Sequence, residues 1–202
     1  SVGYVSMYRL KVHKKGIIVI PKEIRDKFNI KEGDEVNVIV DDKGIYIFPM
    51  QTIEKYFGSD KGAIDALKIW RKRGEKNVRK VMLDASAIML YFYGNEKLKE
   101  IIENSEVYVN SVNLTEFLYA YARAKGWKEG LFKYSIIRNS FKLIDVNKDD
   151  IITTSAKLKI RYNLSLGDSF LLASAKHVKG VAVTSDHELK DVKEVKVLVV
   201  SL

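Results

Sequence analysis

Apolar and polar positions follow three different rhythms along the chain. Over Tyr8-Arg9-Leu10-Lys11-Val12 they alternate strictly, the period-2 signature of a half-exposed strand. Lys14-Lys15-Gly16 reads as a turn and Ile17-Ile18-Val19-Ile20 as a β-branched second strand. Pro21 then opens a short helix over Lys22 to Phe28, a position where its missing N–H costs least. After a turn at Glu32-Gly33-Asp34, strands at Val36–Val40 and Ile45–Phe48 flank the loop Asp41-Asp42-Lys43-Gly44 as a hairpin. Four short strands around one helical turn, in about 45 residues, lie near the lower limit for independent folding. A dimer that shares this core is therefore expected.

From residue 51 the rhythm becomes helical. Ile53, Tyr56 and Phe57 precede Gly58-Ser59, and Ile64, Leu67, Ile69 and Trp70 lie close to one stripe that ends at Arg71-Lys72-Arg73-Gly74. Segment 51–80 thus predicts a broken amphipathic helix whose apolar groups need a surface. From residue 81 strands and helices alternate. Strands are expected at Val81–Asp84, Val107–Val109, Lys142–Val146, Val181–Thr184 and Val195–Val200. Helices fall between them, at Ser86–Tyr93, Glu96–Asn104, 113–125, 128–139, Asp149–Tyr162 and Asp168–Lys179. That order is the pattern of a parallel sheet covered by helices on both faces. The chain divides on this basis into 1–50, 51–80 and 81–202.

Composition narrows the setting. With no cysteine, the chain has neither disulfides nor thiolate metal sites, which fits a reducing cytoplasm. Its apolar runs are too short to span a membrane, and no basic region followed by an apolar core marks a secretory signal. The net charge of +9 points to an acidic partner, with nucleic acid as the default. The excess sits in 51–80, which holds 9 basic and 4 acidic side chains. A solvated linker is the plain reading of such a run.

Four carboxylates carry the candidate chemistry. Asp84 ends an apolar strand, and Asp186 lies just past another; in open α/β sheets ligands bind outside the carboxyl ends of the strands. Asp168 starts an apolar helix after Ser165-Leu166-Gly167. Glu116 lies one turn into its helix between Leu114 and Phe117, which predicts a half-buried face. Taken singly, Asp84 and Asp168 are also ordinary helix caps or first-turn acids, Glu116 could satisfy a local lysine, and Asp186 could close a turn. As a set, four oxygen donors without clustered His suit Mg²⁺ or Mn²⁺ rather than zinc. His13, His177 and His187 are scattered and offer no ligand spacing.

Leu83-Asp84-Ala85-Ser86, Asn113-Leu114-Thr115-Glu116, Leu164-Ser165-Leu166-Gly167-Asp168 and Thr184-Ser185-Asp186 resemble the four acidic motifs of PIN-domain nucleases, in order. The resemblance covers essentially all of 81–202. It implies an α/β/α domain whose acidic pocket binds one or two Mg²⁺ or Mn²⁺ ions and hydrolyses RNA, tRNA or rRNA in toxins of this kind. It gives Ser86 a supporting role beside Asp84.

Residues 8–48 resemble the swapped-hairpin AbrB family of DNA-binding domains, through Lys15-Gly16 before Ile17–Ile20, Pro21-Lys22-Glu23-Ile24-Arg25 and the Gly33-Asp34 turn. This resemblance implies a small β-barrel dimer of interleaved hairpins. DNA contacts would then come from Arg9, Lys11, Lys14, Lys15, Lys22 and Arg25, of which Lys22 and Arg25 are equally ordinary solvated helix residues. The two families usually occur as separate partners, the antitoxin and toxin of VapBC-type pairs, and this chain resembles the two fused. Segment 51–80 then resembles a toxin-wrapping tail, and Arg71 and Arg73 are the candidates to enter the acidic pocket, because guanidinium matches paired carboxylates. Three functions follow: a fused antitoxin–toxin with a restrained endoribonuclease, a DNA-binding regulator with an inactive PIN scaffold, or an RNA-processing nuclease.

Overall fold

The computed structural model describes residues 7–60 and 79–201. Chain contacts divide into two units, residues 1–50 and 51–202, described separately below.

In the first unit, helix α1 (Lys22–Phe28) follows Pro21 and ends at Asn29, which takes the left-handed conformation that closes a helix. Strands β1 (Val36–Asp41) and β2 (Gly44–Pro49) form an antiparallel hairpin in which Val38 faces Ile47 and Val40 faces Ile45. The two strands expected at 8–12 and 17–20 are not formed as such. A single bridge, Val12 with Ile18, joins them across a 3-10 turn at Lys14–Gly16. A lone pair of short strands is marginal without a further sheet to lie on, and the unit has little core: of its described residues only Phe48 is buried.

The second unit is a parallel five-stranded sheet in the order β5-β4-β3-β6-β7. Its strands are β3 (Arg79–Leu83), β4 (Ser105–Asn110), β5 (Lys142–Ile144), β6 (Val181–Thr184) and β7 (Val197–Val199). Helices α2 (Ala85–Phe92), α3 (Glu96–Glu103), α4 (Ser111–Lys125), α5 (Trp127–Ser140), α6 (Asp149–Tyr162) and α7 (Leu166–His177) link them. Side-chain alternation sorts the core. Val81, Leu83, Val107 and Val109 face a cluster with α2 to α5, while Met82, Tyr108 and Ala182 face Leu158, Leu171 and Leu172 of α6 and α7. Both faces are thus covered, as an all-parallel sheet requires. Of the expected edge strands, Asp145, Val146, Val195, Lys196 and Val200 are not strand, although the Lys196 carbonyl and the Val200 N–H still bond β6.

Residues 51–60 belong to this unit. Ile53 is fully buried and its N–H donates to Ser140 Oγ at 2.7 Å. The N–H groups of Gly58 and Asp60 donate to the carbonyls of Tyr91 and Phe92 at the end of α2. Of the helix expected here, a 3-10 turn at Ile53–Tyr56 is formed. The stripe from Ile64 to Trp70, with Arg71 and Arg73, lies outside the described residues. Among the described residues no helix is long and apolar enough to cross a membrane.

Candidate functional site

Sheet topology brings the acids to one end. β3 is central, with β4 and β6 on either side, so the carboxyl ends that carry Asp84, Asn110 and Thr184 stand next to one another. Helices α2 and α4 start from two of these ends, and α4 packs on α7. The elements at this end are the ones that carry the four candidate acids: Asp84 follows β3, Glu116 lies in the first turns of α4, Asp168 in the first turn of α7 and Asp186 just beyond β6.

Asp84 is the most confined of the four. It is buried and caps α2, accepting the Ala87 N–H on Oδ1 at 2.7 Å. Thr184 Oγ1, itself fully buried, donates to Oδ2 at 2.5 Å, and Ser86 Oγ lies 2.8 and 2.9 Å from the two carboxylate oxygens. Ser86 Oγ in turn accepts the Ser185 N–H, and Thr184 Oγ1 accepts the Asp186 N–H. Burial pushes the Asp84 carboxyl above its ordinary value; the hydrogen bonds from Thr184, Ala87 and Ser86 oppose this, and the charge of Asp168 adds to it. Asp84 is thus both the helix cap of the plain reading and a carboxylate held in the field of a second acid.

The other acids are more open. Asp168 is half-buried, with its N–H bonded to the Ser165 hydroxyl and that hydroxyl donating back to Oδ2, a reciprocal cap at the start of α7. Asp186 is half-buried and accepts the Glu188 N–H at 2.8 Å. Glu116 is exposed, against the expected half-buried face: the buried residues of those turns are Asn113, Leu114 and Phe117. Its carboxylate lies on Gly167, where an added Cβ would meet Oε1 at 2.2 Å. Among the described residues no three His, Asp or Glu side chains are close enough together to hold a metal ion. The donors fit hard cations in kind, all being carboxylate oxygens, and the Asp84–Asp168 coupling supplies the charge such an ion neutralises.

Of the groups that hold these acids, the sequence pointed to Ser86, which bonds Asp84, but gave no role to Thr184, Asn110 or Asn113. Thr184 lies 100 residues from Asp84, and Asn110 and Asn113 anchor the start of α4 as buried amides. Their one legible signal is position: each sits at a strand end or within the turn before an acid. His187 is exposed, and its ring lies 3.2 Å from Ser201 Oγ rather than on a carboxylate. A groove of about 590 Å³ lined by Arg79, Lys80, Lys179 and Lys196 opens at the opposite, amino end of the sheet and contains none of the four acids.

In the first unit all six candidate DNA contacts are exposed. Lys14 and Lys15 occupy the 3-10 turn between Val12 and Ile18, Lys15 in the left-handed region at φ 61°. Lys22 and Arg25 are on α1, where Arg25 Nε donates to the Ile20 carbonyl.

Comparison with known proteins bears on both units. The profile described as PIN domain matches residues 81–195, and that described as antidote-toxin recognition MazE, bacterial antitoxin, matches residues 9–55. Among solved structures the chain is similar to one in VapBC2 from Rickettsia felis bound to a promoter DNA fragment, at 17% identity and TM-score 0.50, over 60% of this chain and 99% of that one. It is similar to one in DNA-bound VapBC from Salmonella typhimurium at 14% identity and TM-score 0.50, over 60% and 98%. No curated protein matches.

Proposed function

Because the chain belongs to the PIN domain family, with a MazE/AbrB-type antitoxin domain fused ahead of that domain, we propose that it is a self-restrained antitoxin–toxin protein. Its activity in this reading is Mg²⁺- or Mn²⁺-dependent endoribonuclease cleavage, with tRNA or rRNA as the substrate class, in the cytoplasm. The observation that carries it is the convergence of Asp84, Glu116, Asp168 and Asp186 on one end of the sheet, with Asp84 buried beside the charge of Asp168. The donors and the cap of α2 account for Asp84 alone; a second acid whose charge acts on the same buried carboxyl is what a cation would offset.

These four acids would hold the metal, which when bound lowers the pKa of a water and neutralises charge on the phosphoryl oxygens. The chain's own part is orientation. Thr184, Ser86 and the Ala87 N–H fix Asp84, and Ser165 fixes Asp168. The antitoxin-type unit would dimerise and bind DNA through Arg9, Lys11, Lys14, Lys15, Lys22 and Arg25, as a regulator of its own promoter. Arg71 and Arg73 would compete with the metal for the acids. A second reading, an inactive PIN scaffold on a DNA-binding regulator, draws on the absence among the described residues of three acids close enough to share an ion.

One assay separates them. The full chain, Asp84→Asn and Arg71→Ala/Arg73→Ala are incubated with total RNA and Mn²⁺. The expected order is strong cleavage by the double arginine variant, weaker cleavage by the full chain and none by Asp84→Asn. Cleavage by Asp84→Asn would refute the site, equal rates for full chain and arginine variant would refute the restraint, and silence from all three supports the scaffold.

A further inference from the structure

We infer that Asn113 is a positioning residue for Glu116, its side-chain amide fixing where that carboxylate stands relative to Asp168. The inference rests on the four-acid reading above. Glu116 is exposed, and a glutamate on an open helix surface spreads over several rotamers, so something must select one if it is to act with Asp168. Asn113 is one turn earlier on the same face of α4 and only 1% exposed. Its Nδ2 donates to Glu116 Oε2 and to the Gly167 carbonyl, both at 3.1 Å. That carbonyl can only accept, so the amide nitrogen and not its oxygen faces Glu116.

The rest of the network leaves the amide no freedom. Asn113 Oδ1 accepts from Asn110 Nδ2 at 2.7 Å, and the second N–H of Asn110 donates to Ser174 Oγ of α7 at 3.1 Å. Asn110 Oδ1 accepts the Asn113 backbone N–H as the cap of α4. Asn110 and Ser174 are both fully buried. Every polar group of both amides is satisfied, and turning either one over would orphan donors in a dry site. Gly167 completes the fit from the other side: its missing side chain lets the Glu116 carboxylate rest on it, one residue before Asp168. The amide therefore ties one acid to the helix turn that carries another.

The test measures Mn²⁺ binding to the full, metal-free chain by electron paramagnetic resonance, with thermal melting to verify folding. Glu116→Gln is expected to weaken Mn²⁺ binding. Asn113→Ala is expected to weaken it by about tenfold or more, the effect usual for groups that orient a metal ligand. In a Glu116→Gln background the same Asn113→Ala change should add nothing, since the amide then has no carboxylate to place. Gly167→Ala is the second route: it removes no donor but puts a methyl 2.2 Å from Glu116 Oε1, so it should weaken Mn²⁺ to a similar degree in a folded protein. If Asn113→Ala does not fold, Gly167→Ala decides. Unchanged Mn²⁺ affinity in Glu116→Gln would refute the four-acid reading itself. Weaker binding in Glu116→Gln with unchanged affinity in Asn113→Ala and Gly167→Ala, or an equal loss from Asn113→Ala in both backgrounds, would overturn the positioning role.

Discussion

Folding takes Asp84 out of water at a point where three donors and one neighbouring carboxylate act on it. Burial outweighs the donors, so the folded carboxyl holds its proton more tightly than the ordinary value of 3.8. Stability then falls as pH rises from the unfolded value through the folded one, and stays reduced above it. At neutral pH without a divalent ion, the ionised Asp84 is a cost. Asp84→Asn should therefore melt higher than the parent chain in EDTA. The gap should open across that pH window and stay constant above it, and Mn²⁺ should raise the parent and not the variant. Scanning calorimetry decides, and a lower melting point for Asp84→Asn in EDTA at pH 7 would contradict the argument. Asp84 and Asp168 were legible because strand ends and helix starts show in periodicity. Thr184 and Asn113 were not, since hydroxyls and amides are common and their roles depend on partners brought near only by folding.

Segment 51–60 shows how an element's surface was legible and its partner was not. Ile53, Tyr56 and Phe57 announced an apolar anchor. The fold seats Tyr56 edge-on to Phe132 and Phe57 edge-on to Tyr91. The feature that periodicity could not show is Lys133, a buried cation on α5 that lies 4.3 Å over the Phe92 ring. Asp60 stands 3.4 Å from its Nζ, Ser59 Oγ is bonded to the same nitrogen, and Tyr121 donates to Asp60 at 3.0 Å. Both of these partners of the cation come from the segment. Desolvation pulls the Lys133 ammonium below its ordinary value, and Asp60 opposes this. Asp60→Ala should thus cost about 3 kcal/mol, the penalty of stranding one buried charge, and Asp60→Ala/Lys133→Met should recover most of it. Urea unfolding of the full chain measures both. A double variant as unstable as the single one would reject the pairing. The first strands, at 8–12 and 17–20, failed for the converse reason: their pattern was legible, but no neighbour among the described residues of the unit completes their ladder.

At the scale of the whole molecule, the two-unit organisation and the parallel sheet were legible because each unit has its own rhythm. The state of the first unit is set by what it leaves uncovered. Val38 faces Ile47 and Val40 faces Ile45 across the hairpin, and all four are exposed, Val38 at 56% and Ile47 at 46%. Leu10, Val12, Ile17, Ile18 and Val19 are exposed as well. With one buried residue among its described ones, the unit has little to offset the entropy of ordering its chain, which favours the proposal that a second copy covers this apolar face. A shared core would also set two basic turns, with Lys14 and Lys15, on one assembly, and doubling phosphate contacts steepens both affinity and its salt dependence. Ile47→Asp places a charge in the middle of that face. It should convert a dimer to a monomer in sedimentation and abolish the gel shift of promoter DNA. RNA cleavage with Mn²⁺ should persist, because the acids belong to the other unit. A dimer that survives Ile47→Asp with DNA binding intact would mean that the hairpin face is not the interface. A variant that loses DNA binding and cleavage together would mean that the two units do not work as separable parts.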